Sequence, residues 1–535
     1  MIPRFQTILS PRRVLLMLLV LTALAASSLE AFFVDQPGMM DACYYYSGGL
    51  TFARGQGWNE NFLWNYLDES ASIPHPGNQY WMPFSSVLAA AGMLLFREGF
   101  RQAQIPFFLL AVGFPFLVFH LGKRLTGSFR VAVLAGFFAI ASGFYVIYWL
   151  NTETFLIYAW IGGLFLLWSE RMGSDRPWTD ALLVGALCGV AHLTRADGIL
   201  FLALAGFRVL IDRSPALPAR VRRILWLGIG YLLITGVWYL RNLLTWGSLF
   251  PPGTGKTLWL TQYNDLFRFP SSDVTMGRFF ANGLSSILAA RWSAIQANTV
   301  TTIFVIGLVF LFPLVCWGVI LLRRKIEIRT AVLYFLLIFV LMTLVYPFQG
   351  TRGGFLHSAT ALLSASAVAA AAGLEDVIDR LIRWRKWDPS SAHIVICAGI
   401  TGLALVSSGV IFFNRVIDTV GGPTYWSGLN EAYSIGVSRL GIPDDGSVRF
   451  MVNNAPCFHL ETGFQAVPVP AGDPAMLLAA ADRYEVRYVI LDENIPDGLR
   501  LLYLGEISNP RLKKVLSFEY KGIEYVWFEV LPAAS

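Results

Sequence analysis

Apolar residues gather into twelve stretches, near positions 14–33, 80–96, 105–121, 130–150, 154–168, 181–193, 198–211, 224–240, 300–322, 330–347, 356–374 and 393–413. Most can form a helix that crosses ~30 Å of hydrocarbon at a rise of ~1.5 Å per residue. Short clusters of Lys and Arg separate them. The pattern predicts a polytopic α-helical membrane protein.

The basic clusters set the orientation. If all twelve stretches span and the N-terminus is inside, then Arg222/Arg223, Arg323/Arg324/Lys325 and Arg383/Arg385/Lys386 fall outside, against the positive-inside preference. Removing 80–96 repairs every later loop. That stretch is short, opens on Tyr80-Trp81-Met82-Pro83, and suits a helix lying along the interface. Eleven spans result, with a cytoplasmic N-terminus and an extracytoplasmic C-terminus in a cell inner (plasma) membrane. The outer segments are then 34–104, the loop around 151–153, the turn 194–197, the long loop 241–299, the turn 349–356 and everything beyond 414. Stretches 181–193 and 198–211 are short for a full crossing, which would recess the turn between them.

Composition agrees. Of 535 residues, 55% are hydrophobic and 14% charged, too little polar surface for a soluble fold of this length. The net charge of +6 resides in the topology-marking clusters and is no nucleic-acid signature. The five cysteines lack metal-ligand spacing, and three lie inside apolar stretches. A disulfide between Cys43 and Cys457 is left open, conditional on both facing an oxidising compartment. Arg12 and Arg13 before 14–33, and the Ala-rich end of that stretch, resemble a signal peptide; the many later spans favour an uncleaved helix.

The first outer loop carries the densest chemistry. Asp35 and Asp41 follow the first span, and Tyr44, Tyr45 and Tyr46 follow Asp41. A carboxylate there serves either as a general base beside a lipid-embedded substrate or as a helix cap. Glu153, in Asn151-Thr152-Glu153-Thr154, reads equally as a site carboxylate or a helix-start charge. Arg195, Arg241 and Arg352 stand in outer turns at span ends, where a guanidinium either binds phosphate oxygens or snorkels to headgroups. Asp197, two residues from Arg195, is a candidate ion-pair partner. The six histidines, His75 and His357 among them, show no paired metal spacing. The run Pro251-Pro252-Gly253-Thr254-Gly255-Lys256-Thr257 imitates a phosphate loop but has Phe250 where the pattern requires Gly.

Beyond 414 the periodicity shortens. Segments 448–452, 486–491, 515–520 and 524–530 predict strands, and 473–484 a helix opened by an acidic cap. The expected division is a transmembrane domain over 1–413 and an extracytoplasmic α/β domain over 414–535, without a dinucleotide loop.

Several of these features, in order, resemble the GT-C-type membrane glycosyltransferases, the class of the protein O-mannosyltransferases and the aminoarabinose transferases of lipid A. They are Asp41 heading a Tyr-rich helix, the stretch Gly49-Leu50-Thr51-Phe52-Ala53-Arg54-Gly55-Gln56-Gly57, His75-Pro76 and Pro83, and Glu153. Further on come His192-Leu193-Thr194-Arg195-Ala196-Asp197-Gly198 and Trp238-Tyr239-Leu240-Arg241-Asn242, then Gly247 and Pro251. The resemblance implies a sugar donor on a polyprenyl phosphate and transfer to an acceptor hydroxyl of a lipid, glycan or protein, with inversion. It implies Asp41 as catalytic base with Asp35 as the fallback, and Glu153 as an acceptor-orienting group or a ligand of a possible divalent cation. Asp35, Tyr45, His75, Arg195, Arg241, Arg352 and His357 are the candidate substrate-binding residues, with Arg195 favoured for the leaving phosphate because its turn is recessed. The rival classes are a polytopic transporter or lipid flippase, which calls for repeated halves not seen in the sequence, and a non-catalytic scaffold.

Overall fold

The computed structural model describes residues 10–169, 177–212, 216–417, 428, 430–443, 446 and 448–532. Among the described residues, six helices are long and apolar enough to cross a membrane: Pro11–Phe33, Phe100–Thr126, Leu217–Trp246, Ile326–Val345, Pro347–Arg385 and Pro389–Ile417. Shorter apolar helices, Phe129–Ile140, Phe155–Ser169, Pro177–Thr194, Ile199–Ile211 and Phe312–Leu322, pack among them. The chain is a helical membrane protein with a small C-terminal sheet region.

Phe84–Leu95 has 12 residues, about 18 Å of helix, too short to span. Its Ser86 and Ala89 lie against Gly48 and Gly49 of the helix Met40–Ala53, while Leu94, Leu95 and Phe96 are exposed. It therefore buries one face on Met40–Ala53 and leaves its apolar C-terminal end exposed.

The stretch read as one span over 300–322 is two pieces. A helix over Leu284–Thr301 runs into a wide π-turn, Thr302–Ile306; Leu308 and Val309 then take φ of 52° and 67°, and Phe312–Leu322 restarts the helix with Pro313 in its first turn. Positive φ at two bulky residues ends a helix, and Pro suits the first turn of the next. Thus part of 241–299, read as loop, is helical.

The two ends of the bundle differ in character. One gathers the basic loops: Arg124 lies 3.9 Å from Glu327, Arg130 3.2 Å from Glu375, and His393 3.1 Å from Asp379. The other gathers the loops after Phe33, around Glu153, Arg195 and Gly350, together with the C-terminal sheet.

That sheet has β3 (Arg449–Met451), β4 (Gln465–Val467), β5 (Val486–Leu491), β6 (Leu512–Tyr520) and β7 (Ile523–Val530) in the order β4-β3-β5-β7-β6. The β4-β3-β5 part is parallel and the rest antiparallel. The connecting helix Pro474–Tyr484 starts at Asp473, which accepts from the Met476 N–H at 2.9 Å. Three-residue β4 carries too little pattern to be seen in sequence. Among the strands of the first outer loop, β1 (Asn59–Glu60) pairs antiparallel with β2 (His75–Pro76).

Sheet and first outer loop form one body. Phe62 bridges to Ala466 of β4, and the Leu63 N–H donates to the Ala466 carbonyl at 2.9 Å. A shared apolar core holds Tyr44, Tyr45, Phe62, Trp64, Phe450 and Trp527. A disulfide joins Cys43 of Met40–Ala53 to Cys457 of the helix Ala455–Thr462; the pairing that the sequence left open is present. The run imitating a phosphate loop packs as ordinary loop: the Gly253 N–H donates to Asp68 at 2.6 Å, and Lys256 donates to the Leu67 carbonyl at 2.9 Å.

Candidate active site

Three loops deliver three titratable side chains to one point. Asp41 stands in the first turn of Met40–Ala53, where a carboxylate complements the helix dipole. Glu153 sits in a wholly buried turn whose Asn151 side chain accepts from the Glu153 N–H at 3.1 Å. His357 lies in the short helix Phe355–Ala359, stacked on Phe155 with ring centroids 3.8 Å apart. Its Nε2 is 3.7 Å from Asp41 Oδ2 and 3.6 Å from Glu153 Oε2.

The supporting bonds come from the elements charge placement singled out. Ser85 of the interfacial helix donates to the carbonyls of Thr152 and Glu153 at 2.6 and 3.2 Å, and the Thr152 hydroxyl donates to the Ala42 carbonyl at 2.8 Å. The demoted stretch 80–96 thus locks the Glu153 turn to the helix of Asp41.

Burial separates the two carboxylates. The Glu153 side chain is 3% exposed and that of Asp41 35%. Burial, and then the Asp41 charge, push the Glu153 carboxyl far above the ordinary carboxylate range. Burial raises Asp41 to about 6, opposed by the Arg195 guanidinium. The anion is therefore disfavoured at both positions, and more strongly at the deeper Glu153.

Arg195 follows the helix Pro177–Thr194 and is fixed from several sides. Its Nε donates to Asp197 Oδ1 at 3.0 Å, and its Nη2 reaches the Gly354 carbonyl and Ser358 Oγ, each at 3.4 Å. Asp197 in turn accepts from Tyr158 at 3.3 Å and Ser358 at 2.5 Å. The Arg195 side chain is 16% exposed, so the recessed turn expected from two short spans is present, with its ion pair.

Arg352 differs. It is exposed, lies over the Tyr263 ring at 5.3 Å, and has no hydrogen bond or ion pair among the described residues. Gly353 beside it takes φ 110°, which breaks the helix and turns the guanidinium outward. Burial and the nearby Asp41 charge raise the Tyr263 phenol to about 12, and the Arg352 charge opposes them.

The other expected residues are placed as follows. Tyr45 is buried, stacks on Trp81 at 5.9 Å, and its phenol is pushed up by burial and then by Asp41; it belongs to the cluster's wall. Asp35 is exposed in the connection between Pro11–Phe33 and Met40–Ala53, outside the His357 cluster. His75 is buried with its two ring nitrogens 2.8 and 3.0 Å from the carbonyls of Phe62 and Pro76, and Glu60 lies 3.6 Å away. Arg241 donates to the Gly77 carbonyl at 2.8 Å and sits between the rings of Trp238 and Trp246. His75 and Arg241 hold the β1–β2 region rather than meeting Asp41. Beside them is a small cleft lined by Trp58, Glu60, Gly77 and Ser86.

Sequence reasoning missed Tyr80, Tyr263 and Ser358. The Asp41 charge acts on both phenols, yet each reaches the site from a loop of unremarkable composition. Ser358 had a weak signal, one residue after His357 at a span start.

Comparison with known proteins agrees with this architecture. A family model described as dolichyl-phosphate-mannose-protein mannosyltransferase matches residues 75–239. No curated protein matches the chain. Among solved structures, ArnT from Cupriavidus metallidurans bound to undecaprenyl phosphate is similar with TM-score 0.56 at 13% identity, covering 96% of this chain and 97% of that one. The Archaeoglobus fulgidus oligosaccharyltransferase in complex with Zn and sulfate is similar with TM-score 0.57 at 15% identity, covering 89% of this chain and 68% of that one. AglB from the same organism, in complex with an inhibitory peptide and a dolichol-phosphate, gives TM-score 0.53 at 13% identity, covering 88% and 69%. The chain has the fold of the GT-C membrane glycosyltransferases, and the resemblance drawn from its motifs holds.

Proposed function

We propose that this chain is a membrane glycosyltransferase that takes a sugar from a polyprenyl-phosphate donor and places it on an acceptor hydroxyl at the outer face. The observation that carries this reading is the convergence of Asp41, Glu153 and His357 from three separate segments, with Arg352 over the ring of Tyr263, a phenol on which the Asp41 charge acts.

Asp41 is the base. It is the more exposed of the two neighbouring carboxylates, and its pKa, raised to about 6, lies near neutrality, where a general base is effective. The acceptor oxygen loses its proton to Asp41 and attacks the anomeric carbon, and the lipid phosphate leaves from the opposite side with its bonding electrons. A phosphate departs without a strong general acid, so one carboxylate suffices, unlike the pair needed to expel an alkoxide. Arg352 receives the departing phosphate, because a guanidinium without a protein partner offers its full fork to phosphate oxygens. Arg195 is committed to Asp197 and Ser358; it fixes the His357 segment and moderates the charge on Asp41. Glu153, held neutral, donates a hydrogen bond to the acceptor.

The donor atoms of Asp41, Glu153 and His357 lie within 4.8 Å of one another, and His357 Nδ1 is buried without a hydrogen bond. Two carboxylates and an imidazole fit a divalent cation. Held by these three residues, it would keep Glu153 ionised, in place of the hydrogen-donating role that Glu153 has without a cation, and would supply charge to offset the leaving phosphate.

The orientation proposed is N-terminus cytoplasmic and C-terminus extracytoplasmic, supported by the gathering of basic loops at the opposite end. Purified protein offered a panel of polyprenyl-phosphate hexoses and pentoses tests the function. Release of polyprenyl phosphate coupled to acceptor glycosylation is expected; inertness toward every lipid-phosphate sugar, with the protein folded, would refute it.

A further inference from the structure

At the opposite end of the bundle, two pairs of polar side chains face each other across neighbouring helices. Glu375 and Asp379 are one turn apart on the helix Leu363–Arg385, and His393 and Cys397 are one turn apart on Pro389–Ile417. Residues four apart share a helix face. Donor atoms of Glu375, His393 and Cys397 all lie within 4.8 Å of one another.

The histidine is the telling member. His393 is 7% exposed and Glu375 8%. Its Nε2 lies 3.1 Å from Asp379 Oδ1, a hydrogen bond that fixes the proton on that nitrogen. Its Nδ1 then points a bare lone pair toward Glu375 Oε2, 3.5 Å away, and has no hydrogen-bond partner. A lone pair facing an ionised carboxylate is repulsive unless a proton or a metal cation lies between them, and no hydrogen bond joins this nitrogen to the carboxyl. The alternative, a doubly protonated ring, leaves a buried N–H without a hydrogen bond. Arg130 Nε lies 3.2 Å from Glu375 Oε1 without making a hydrogen bond, so that this buried oxygen too lacks a hydrogen-bond partner. An imidazole whose far N–H is held by a carboxylate is the usual second partner arrangement of a metal-binding histidine.

The geometry points to a transition-metal site formed by Glu375, His393 and Cys397, with Asp379 orienting the imidazole. One oxygen, one nitrogen and one sulfur donor suit a borderline cation of the zinc class, with water as the fourth ligand. Zinc ligands sit ~2.0–2.3 Å from the ion, so the side chains close inward on binding and the Cys397 thiol gives up its proton to solvent. The site staples the last two spans beside the turn that joins them. It is independent of the proposed transfer reaction and lies away from Asp41.

The test uses the full chain in detergent, stripped with chelator and titrated with Co(II). Only a thiolate-ligated ion gives an intense near-ultraviolet charge-transfer band, so binding at the Asp41 cluster is silent in this readout. One equivalent of band, bleached by Zn(II), is expected in the wild type and in the control Cys316→Ser. Cys397→Ser removes the band, and His393→Gln weakens Co(II) binding at least tenfold. Size-exclusion profiles show that each variant is folded. Absence of the band in folded wild type, its loss in Cys316→Ser, or an unchanged titration in His393→Gln would overturn the proposal.

Discussion

The link between Cys43 and Cys457 gives the sharpest handle on how the sheet is held over the site. The two cysteines are 414 residues apart. A chain-entropy treatment of a loop that long gives about 20 cal/mol/K, or about 6 kcal/mol at 25 °C, as an upper value. Helices that persist in the detergent-unfolded chain shorten the effective loop, which brings the expected contribution to about 2–4 kcal/mol. Both cysteines are 1% exposed, so alanine at each leaves small voids without new polar atoms. Cys43→Ala/Cys457→Ala is therefore expected to unfold several degrees lower in a thermal scan. Because Cys43 is on the helix of Asp41, the same variant should lose kcat more than donor affinity. Non-reducing digestion should yield the two segments as one cross-linked peptide, with Cys188, Cys316 and Cys397 as thiols. Free thiols at both positions, or a melting curve identical to wild type, would refute the reasoning and with it the placement of both segments in an oxidising compartment.

Other outcomes follow from the site. Asp41 must be ionised to act, so kcat/KM measured in the presence of chelator should fall about tenfold per pH unit below about 6 and be flat above it. Stability should run the other way: the folded state holds the Asp41 proton more tightly than the unfolded chain, so this group's contribution declines as pH rises from 3.8 to about 6. Arg352→Gln should raise the donor KM about 10- to 100-fold with an unchanged melting temperature, as befits the loss of a charge-assisted phosphate contact. Arg195→Gln should instead destabilise by about 3–5 kcal/mol, since it strands Asp197 in a buried site. Gly318→Ala would bring a Cβ to 1.8 Å from the Ala369 carbonyl and force apart Phe312–Leu322 and Leu363–Arg385; a loss of about 1–3 kcal/mol is expected.

Much of this was legible in sequence because the membrane imposes a simple code. Apolar length marked the helices, and basic loops demoted 80–96, which the structure places along the outer-loop helix with Ser85 bracing the Glu153 turn. Asp41 and Glu153 were legible because polar residues beside apolar runs stand out. Other features rest on packing rather than pattern. The break after Ile306 depends on two bulky residues at positive φ, and Leu284–Thr301 mixes Ser, Asn and Arg291 with its apolar positions. His75 and Arg241 share the family-like motifs, yet their bonds run to the carbonyls of β1–β2 and its neighbours. Tyr80 and Tyr263 reach the site only once loops far apart in sequence have folded together.

The central claim is that Asp41 is the base of a single outer active site. Its most direct measurement compares sugar transfer by wild type, Asp41→Asn and Asp35→Asn with the same polyprenyl-phosphate donor. Asp41→Asn should lose 10²–10⁴-fold in kcat while still binding donor, the range for removal of a general base, and Asp35→Asn should stay near wild type. Undiminished transfer by Asp41→Asn, or a comparable loss in Asp35→Asn alone, would contradict the account.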